Sequence, residues 1–229
     1  MCALEWSSES PSVGFSVPVC FATRSGGTTI DRDAKGGNPF ATALIELSAS
    51  ADVGILDFPE RLRALTHEVS VGHQSPEWVG ASPSADWRLP HPWVSEKVRR
   101  VALVLVVSDY RYSTDDLGGA AWDELRVAAM LARNGFSVTQ GVGPDRVAIL
   151  QAIEEFAERS RDADYAIIYC TGHGVEKGGM VYLLPGDYPM PEGVGAAELA
   201  KSAVGVGMLA DACSARTLNL VFFAGCRSI

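Results

Sequence analysis

Two apolar runs in this sequence exit into short turns that carry reactive side chains. "DYAIIYCTGHG" brings out His173 between Gly172 and Gly174, and "LNLVFFAGC" brings out Cys226 after Gly225. A thiol becomes a useful nucleophile when a base or a positive group stands beside it, and an imidazole is a common partner. Together they could attack a carbonyl carbon, with His173 taking the proton and returning it to a leaving amine. The flanking glycines leave room for a substrate backbone. The N–H groups of Gly174 and Cys226 are the candidates to hold an oxyanion. Taken singly, a histidine at a strand end is more often a hydrogen-bonded surface residue, and a cysteine there is more often inert core. Two such residues on two like segments bring the chemical reading level with that one.

For the pair to meet, both runs must be neighbouring strands that deliver their side chains to one edge. The order of elements allows this. "RRVALVLVVSD" reads as a strand buried on both faces. A helix over "GGAAWDELRVAAMLARNGF" follows, with Leu125, Ala128, Ala129 and Ala132 expected on one face and Asn134-Gly135 as the stop. "FSVTQGV" reads as a short strand. "GPDRVAILQAIEEFAERSRDA" reads as an amphipathic helix with Pro144 in its first turn and Ile149, Ile153 and Phe156 inward. After the histidine strand, "GGMVYLLPGDY" suggests a hairpin and loop. "GAAELAKSAVGVGMLADACSA" suggests one or two helices, broken near Gly205 and Gly207. Alternation of this kind predicts an α/β fold with a largely parallel sheet covered by helices on both faces.

The first 80 residues have another texture. "GFSVPVCFAT" reads as a strand, with Pro18 placing it at a sheet edge or at the strand's start. "TRSGGTTIDRDAKGG" is a glycine-rich polar loop of a length usually kept for function. "NPFATALIELSAS" offers Asn38 as N-cap and Pro39 at the first helical position. "FPERLRALTHEVSVG" reads as a second helix. The proline-rich stretch near residues 81–96 reads as a connection over the surface.

Composition narrows the classes. The chain has 229 residues, 47% hydrophobic, with a net charge of −9. Such an acidic chain has no basic stripe for phosphates, so nucleic acid is not an expected partner. No apolar run reaches the length of a membrane span, and the N-terminus lacks the basic and apolar signature of a secretion signal. A cytoplasmic protein is expected. The five cysteines are then reduced thiols, irregularly spaced and without a zinc pattern, so neither metal nor cofactor is expected. "GGAAWDEL" is not a phosphate-binding loop and no GxSxG turn exists, which disfavours a flavodoxin-like or serine-hydrolase reading.

"DYAIIYCTGHGVEKGGMVYLLPGD" resembles the histidine segment of the caspase-like cysteine peptidases, the group that includes metacaspases and prokaryotic caspase homologues. "LNLVFFAGCRS" resembles that family's cysteine strand, and "VALVLVVSDY…LGGAAWDELRVAAMLARNGFSV" its first strand and helix. His173 and Cys226 are separated by close to the roughly 50 residues found in caspases. The resemblance implies a three-layer sandwich, a Cys226–His173 dyad without a third member, and protein or peptide substrates. Asp211-Ala212-Cys213 spells the family's cysteine motif better than Ala224-Gly225-Cys226. It lies in a helical segment, however, so Cys213 is assigned to packing beside Cys170.

Relatives carry a second part after their cysteine: a strand, a substrate-contacting loop and two helices. Residues 14–80 resemble that part, placed first. The resemblance thus implies a circularly permuted domain: a small part at 1–80, a linker at 81–98 and a large part at 99–229. On that reading the cysteine stands near the chain end because a linker, cut in many relatives, is open there. Relatives that cleave after Arg or Lys often carry an acid two residues before the cysteine, where this chain has Ala224. Asp115 and Asp116, and Asp31 and Asp33 in the small part's loop, are the alternative acids. Arg32 roughly matches an arginine that animal caspases use toward an acidic P1 residue. One arginine against four acids favours a basic P1 residue, Arg before Lys. The resemblance also implies a regulated effector in prokaryotic defence or cell death, switched on by another protease or a sensor protein. The rival readings are an inactive caspase-like scaffold, an Asp-specific protease, and a transferase or deamidase using the same dyad.

Overall fold

The computed structural model describes residues 15–50, 54, 57–80, 98–113, 116–189 and 194–228. Asp115 and the connection at 81–96 lie outside them. The first strands and helices are β1 (Val19–Phe21), α1 (Pro39–Ser48), α2 (Phe58–Val69) and β2 (Glu77–Val79). Next come β3 (Arg100–Val106), α3 (Gly118–Arg133), β4 (Ser137–Thr139), α4 (Arg146–Arg161) and β5 (Tyr165–Thr171). The chain continues through β6 (Gly174–Lys177), β7 (Met180–Leu183), α5 (Ala196–Ser202), β8 (Val204–Gly205), α6 (Val206–Ala212) and β9 (Leu218–Phe223).

Six strands form one sheet in the order β2-β1-β9-β5-β3-β4. All neighbours run parallel except β2, which is antiparallel to β1. Side chains alternate across a strand, so successive residues serve opposite cores. Val101, Leu103 and Leu105 join the core that contains Ile149 and Phe156 of α4 and Leu209 of α6. Ala102, Val104 and Val106 join the core formed with α1, α2 and α3, through Phe40, Phe58 and Val127. The result is a three-layer α/β sandwich with a mostly parallel centre. Phe40, Phe58 and Phe156 are almost wholly buried, each such side chain contributing about 1.5–3 kcal/mol.

Three local expectations are sharpened, and one, the inward face of α3, changes. Pro18 does precede the strand, but β1 lies inside the sheet, between β2 and β9, and the Pro18 carbonyl accepts the Val221 N–H at 3.1 Å. Proline lacks a donor yet keeps its acceptor, so the first position costs the ladder little. The hairpin joins β6 to β7 across Gly178-Gly179, starting earlier than "GGMVYLL" suggested. The break between α5 and α6 is the bridge strand β8, paired with β7. On α3 the buried stripe runs through Ala120, Asp123, Val127, Met130 and Leu131, whereas Leu125 is 57% exposed and Ala129 and Ala132 face outward. Alanines are weak markers of a face. Here the helix is rotated so that Asp123 reaches inward.

Candidate active site

Strands β5 and β9 adjoin in parallel register, with Cys170 opposite Phe223. His173 and Cys226 each stand three residues beyond that pair, at the carboxyl edge of the sheet. That edge is where loops of a parallel sheet converge on ligands. Both residues line one cavity of about 110 Å³, room for a single side chain, shared with Thr29, Asp31, Asn38 and Ala224.

The turn before the histidine is sterically fixed. Gly172 has φ 153°, and a Cβ there would come within 2.8 Å of Leu183 Cδ1 and 2.9 Å of the Tyr110 hydroxyl. The His173 N–H donates to that hydroxyl at 2.6 Å, and the hydroxyl donates to the Val107 carbonyl at 3.2 Å. The two rings lie 4.5 Å apart. Burial pushes the Tyr110 phenol up, partly opposed by the His173 N–H, so the group stays neutral.

Cys226 is held from the other side. The Thr29 N–H lies 3.3 Å from its Sγ and the Thr29 hydroxyl 3.4 Å. The next residue, Arg227, is buried and bonds Glu176 at 3.0 Å and also Glu77, while its guanidinium sits 4.2 Å from the Phe21 ring centroid. Its backbone exchanges bonds with Gly26 and Gly27. Arg227 therefore ties the cysteine turn to the loop after β1, to β2 and to β6. Gly174, the other oxyanion candidate, opens β6, packed against the Cys226 carbonyl.

Cysteine exposure discriminates sharply. Cys20, Cys170 and Cys213 are buried, and burial pushes each thiol up. Cys226 alone among the described cysteines is partly open. Cys213 caps the end of α6, away from the strand exits.

The pocket acids divide. Asp31 is in the cavity wall, and its carboxylate accepts the Gly119 N–H at 2.9 Å and the Ala120 N–H at 3.1 Å. It thereby satisfies two orphan donors at the start of α3, which has no cap of its own. A Cβ at Gly119 would overlap the Asp31 backbone, which explains the second glycine in "LGGAAW". Asp33, Asp116 and Arg32 are not among the residues lining the cavity. Asp33 accepts the Lys35 N–H, Asp116 accepts the Tyr110 N–H, and Arg32 is 64% exposed with its Nε 3.4 Å from Asp31.

Behind Asp31 lies Asp123, which accepts the Asn38 N–H at 2.8 Å and bonds Arg126 at 3.1 Å. Burial raises its carboxyl to about 7 against those two favourable partners, and the Asp33 and Asp31 charges push the same way as burial. Residue type and spacing do not mark Tyr110, Thr29, Arg227 or Asp123 for the site, and the sequence marks Asn38 only as the N-cap of α1, where its side chain accepts the Phe40 N–H. For Tyr110 a signal existed: it follows the exit of β3, the other neighbour of β5.

The caspase domain family model matches residues 99–221, more than half of the chain. The chain belongs to the caspase-domain family. It is a caspase-like protein of the cysteine-peptidase type, and a protease of this type acts on protein substrates. The matched span contains β3 to β9 up to Val221 and includes His173. No curated protein resembles the chain closely enough to count as a match. Among the described residues, no cluster of three or more His, Cys, Asp or Glu could hold a metal ion, and no helix is long and apolar enough to cross a membrane.

Proposed function

We propose that this caspase-like protein is a cysteine endopeptidase that cleaves after a basic residue, Arg before Lys, with Cys226 as nucleophile and His173 as its base. The observation that carries the reading is the cavity that Cys226 and His173 share with Asp31. In the first step the Cys226 sulfur bonds the scissile carbonyl carbon, and its proton goes to His173. The Gly174 and Cys226 N–H groups face the oxyanion. The C–N bond then breaks as His173 protonates the amine. A water molecule, deprotonated by His173, releases the acyl group and returns the thiol. Asp31 meets the P1 guanidinium with the acceptor capacity that Gly119 and Ala120 leave unused, in place of the exposed Arg32 Nε that stands 3.4 Å from it. Of the other acid candidates, Asp33 and Asp116 do not line that cavity, and each accepts one loop N–H.

We further propose that the domain is circularly permuted: a small part at 1–80, a linker at 81–98 and a large part at 99–229 forming one unit. The sheet order supports this, because β1 and β2 extend it beyond β9, the last strand among the described residues. A regulated effector role in prokaryotic defence or cell death, downstream of a protease or sensor, is carried by the resemblance alone.

The test is cleavage of fluorogenic peptides with Arg, Lys or Asp at P1, using the intact chain, Cys226→Ala and Cys213→Ala. Turnover of Arg and Lys peptides that only Cys226→Ala abolishes supports the reading. Turnover of Asp peptides instead would shift recognition to Arg32. Loss in Cys213→Ala alone would overturn the choice of nucleophile.

A further inference from the structure

We infer that Thr29 is a catalytic residue: its backbone N–H and its hydroxyl form a two-donor cradle that stabilises the Cys226 thiolate. The inference rests on Cys226 being the nucleophile. Both donors reach the reacting sulfur itself, at 3.3 and 3.4 Å. A thiolate only accepts, so against the charged sulfur the Thr29 hydroxyl must donate.

The cradle is built, not incidental. On one side of Thr29, Gly26 donates to the Arg227 carbonyl at 2.9 Å and Arg227 donates to the Gly27 carbonyl at 2.8 Å. On the other side, the Ile30 N–H donates to the Gln74 side chain at 3.0 Å, and Gln74 is fully buried. Donors fixed in advance cost no reorganisation when charge appears.

The surroundings explain why such donors are needed. The titratable residues that line the cavity with Cys226 are His173 and Asp31, and the Tyr110 ring lies 4.5 Å from the His173 ring. His73 reaches the neighbouring Thr28 hydroxyl at 3.2 Å. The cation next in the chain, Arg227, is engaged by Glu176 and Glu77, so its charge is largely neutralised there. His173 supports the thiolate only while protonated. Once it has given its proton to the leaving amine it is neutral, and it then takes a proton from water as the hydroxyl adds to the acyl carbon. The C–S bond breaks next, its electron pair returns to sulfur, and the Thr29 donors share that charge with the protonated His173 until the proton passes to sulfur. They come from the loop after β1, so the chemistry of β5 and β9 depends on the first part of the chain.

The experiment is alkylation of Cys226 by iodoacetamide, followed by mass spectrometry in the intact chain. It compares wild type, Thr29→Val and Thr29→Ser from mildly acid conditions to about pH 10. Thr29→Val keeps the N–H and removes the hydroxyl. Losing one hydrogen bond to a charged group lowers the thiolate population about tenfold, while the more basic sulfur attacks roughly threefold faster. The expected result is therefore a roughly threefold slower reaction near neutrality, equal or faster reaction at the alkaline end, and wild-type behaviour for Thr29→Ser. A Thr29→Val curve that superimposes on wild type, or that differs by one factor at every pH, overturns the inference. Alkylation needs no peptide cleavage, so an inactive protease and a failed cradle give distinguishable results.

Discussion

The backbone N–H of His173 donates to the phenol oxygen of Tyr110 at 2.6 Å, and the same phenol donates to the Val107 carbonyl at 3.2 Å. Tyr110 thus links the exits of β3 and β5 and fixes where the imidazole stands. Tyr110→Phe keeps the ring against His173 and deletes both bonds. It leaves a half-buried N–H and a buried carbonyl without that partner, a loss of up to about 1–3 kcal/mol of unfolding free energy for each group left unsatisfied. Since Tyr110 touches no substrate, kcat should fall about tenfold with KM little changed. Urea unfolding and peptide kinetics check this. A stability loss with unchanged kcat would make Tyr110 a scaffold residue only.

Asp31 has two tasks that can be separated. Its carboxylate caps α3 through Gly119 and Ala120, and it forms part of the cavity wall. Asp31→Asn keeps one acceptor for the helix and removes the charge. The cap should weaken by about 1 kcal/mol or less. The preference for Arg over Gln peptides should fall about tenfold or more, since a charge-assisted bond becomes a neutral one. An unchanged Arg/Gln ratio in kcat/KM would remove Asp31 from P1 recognition.

The frame was legible in the sequence because long apolar runs have one cheap solution. "VALVLVV", "AIIYC" and "LNLVFF" must be buried on both faces, and helical stretches between them force a parallel order. His173 and Cys226 followed from position at strand exits. The rest depended on side chains whose role is set by partners remote in sequence. Nothing around Asp123 marks it as buried; its partner Asn38 lies 85 residues away. The α3 face was misread for that reason, since hydrophobic periodicity gives no credit to an inward carboxylate. Arg227 shows the same limit. An arginine beside a terminal turn reads as solvated until Glu77, Glu176 and the Phe21 ring are seen around it.

Asp123 should make stability depend on pH with a definite sign. Its native carboxyl is raised to about 7, mainly by burial, whereas an unfolded aspartate titrates near ~3.9. The native state therefore holds the proton more tightly. The group's stabilising contribution is complete below about pH 4, shrinks as pH rises from there to about 7, and stays lost above that. Asp123→Asn is neutral throughout and still offers an acceptor to the Asn38 N–H. Urea midpoints at about pH 5 and about pH 8 should show the variant gaining on wild type as pH rises, on the order of 1–3 kcal/mol. A constant difference between the two proteins would mean that Asp123 does not titrate in that window.

Gly172 is where the histidine turn tolerates least. Its φ of 153° lies in a region that side chains rarely adopt, and an added Cβ would meet Leu183 Cδ1 at 2.8 Å, the Tyr110 hydroxyl at 2.9 Å and Val107 Cβ at 3.1 Å. Two of those neighbours are buried core, and the third is the atom that holds the His173 N–H. Gly172→Ala must therefore either shift the turn or push Tyr110 away. Strain and overpacking together should cost roughly 2–4 kcal/mol. Activity should fall further than in Tyr110→Phe, because the imidazole moves as well as losing its anchor. The double variant Gly172→Ala/Tyr110→Phe decides between the two routes. If the clash acts through the hydroxyl, removing that oxygen restores part of the lost stability, and the two losses are less than additive. Full additivity would locate the damage in the backbone conformation of Gly172 itself.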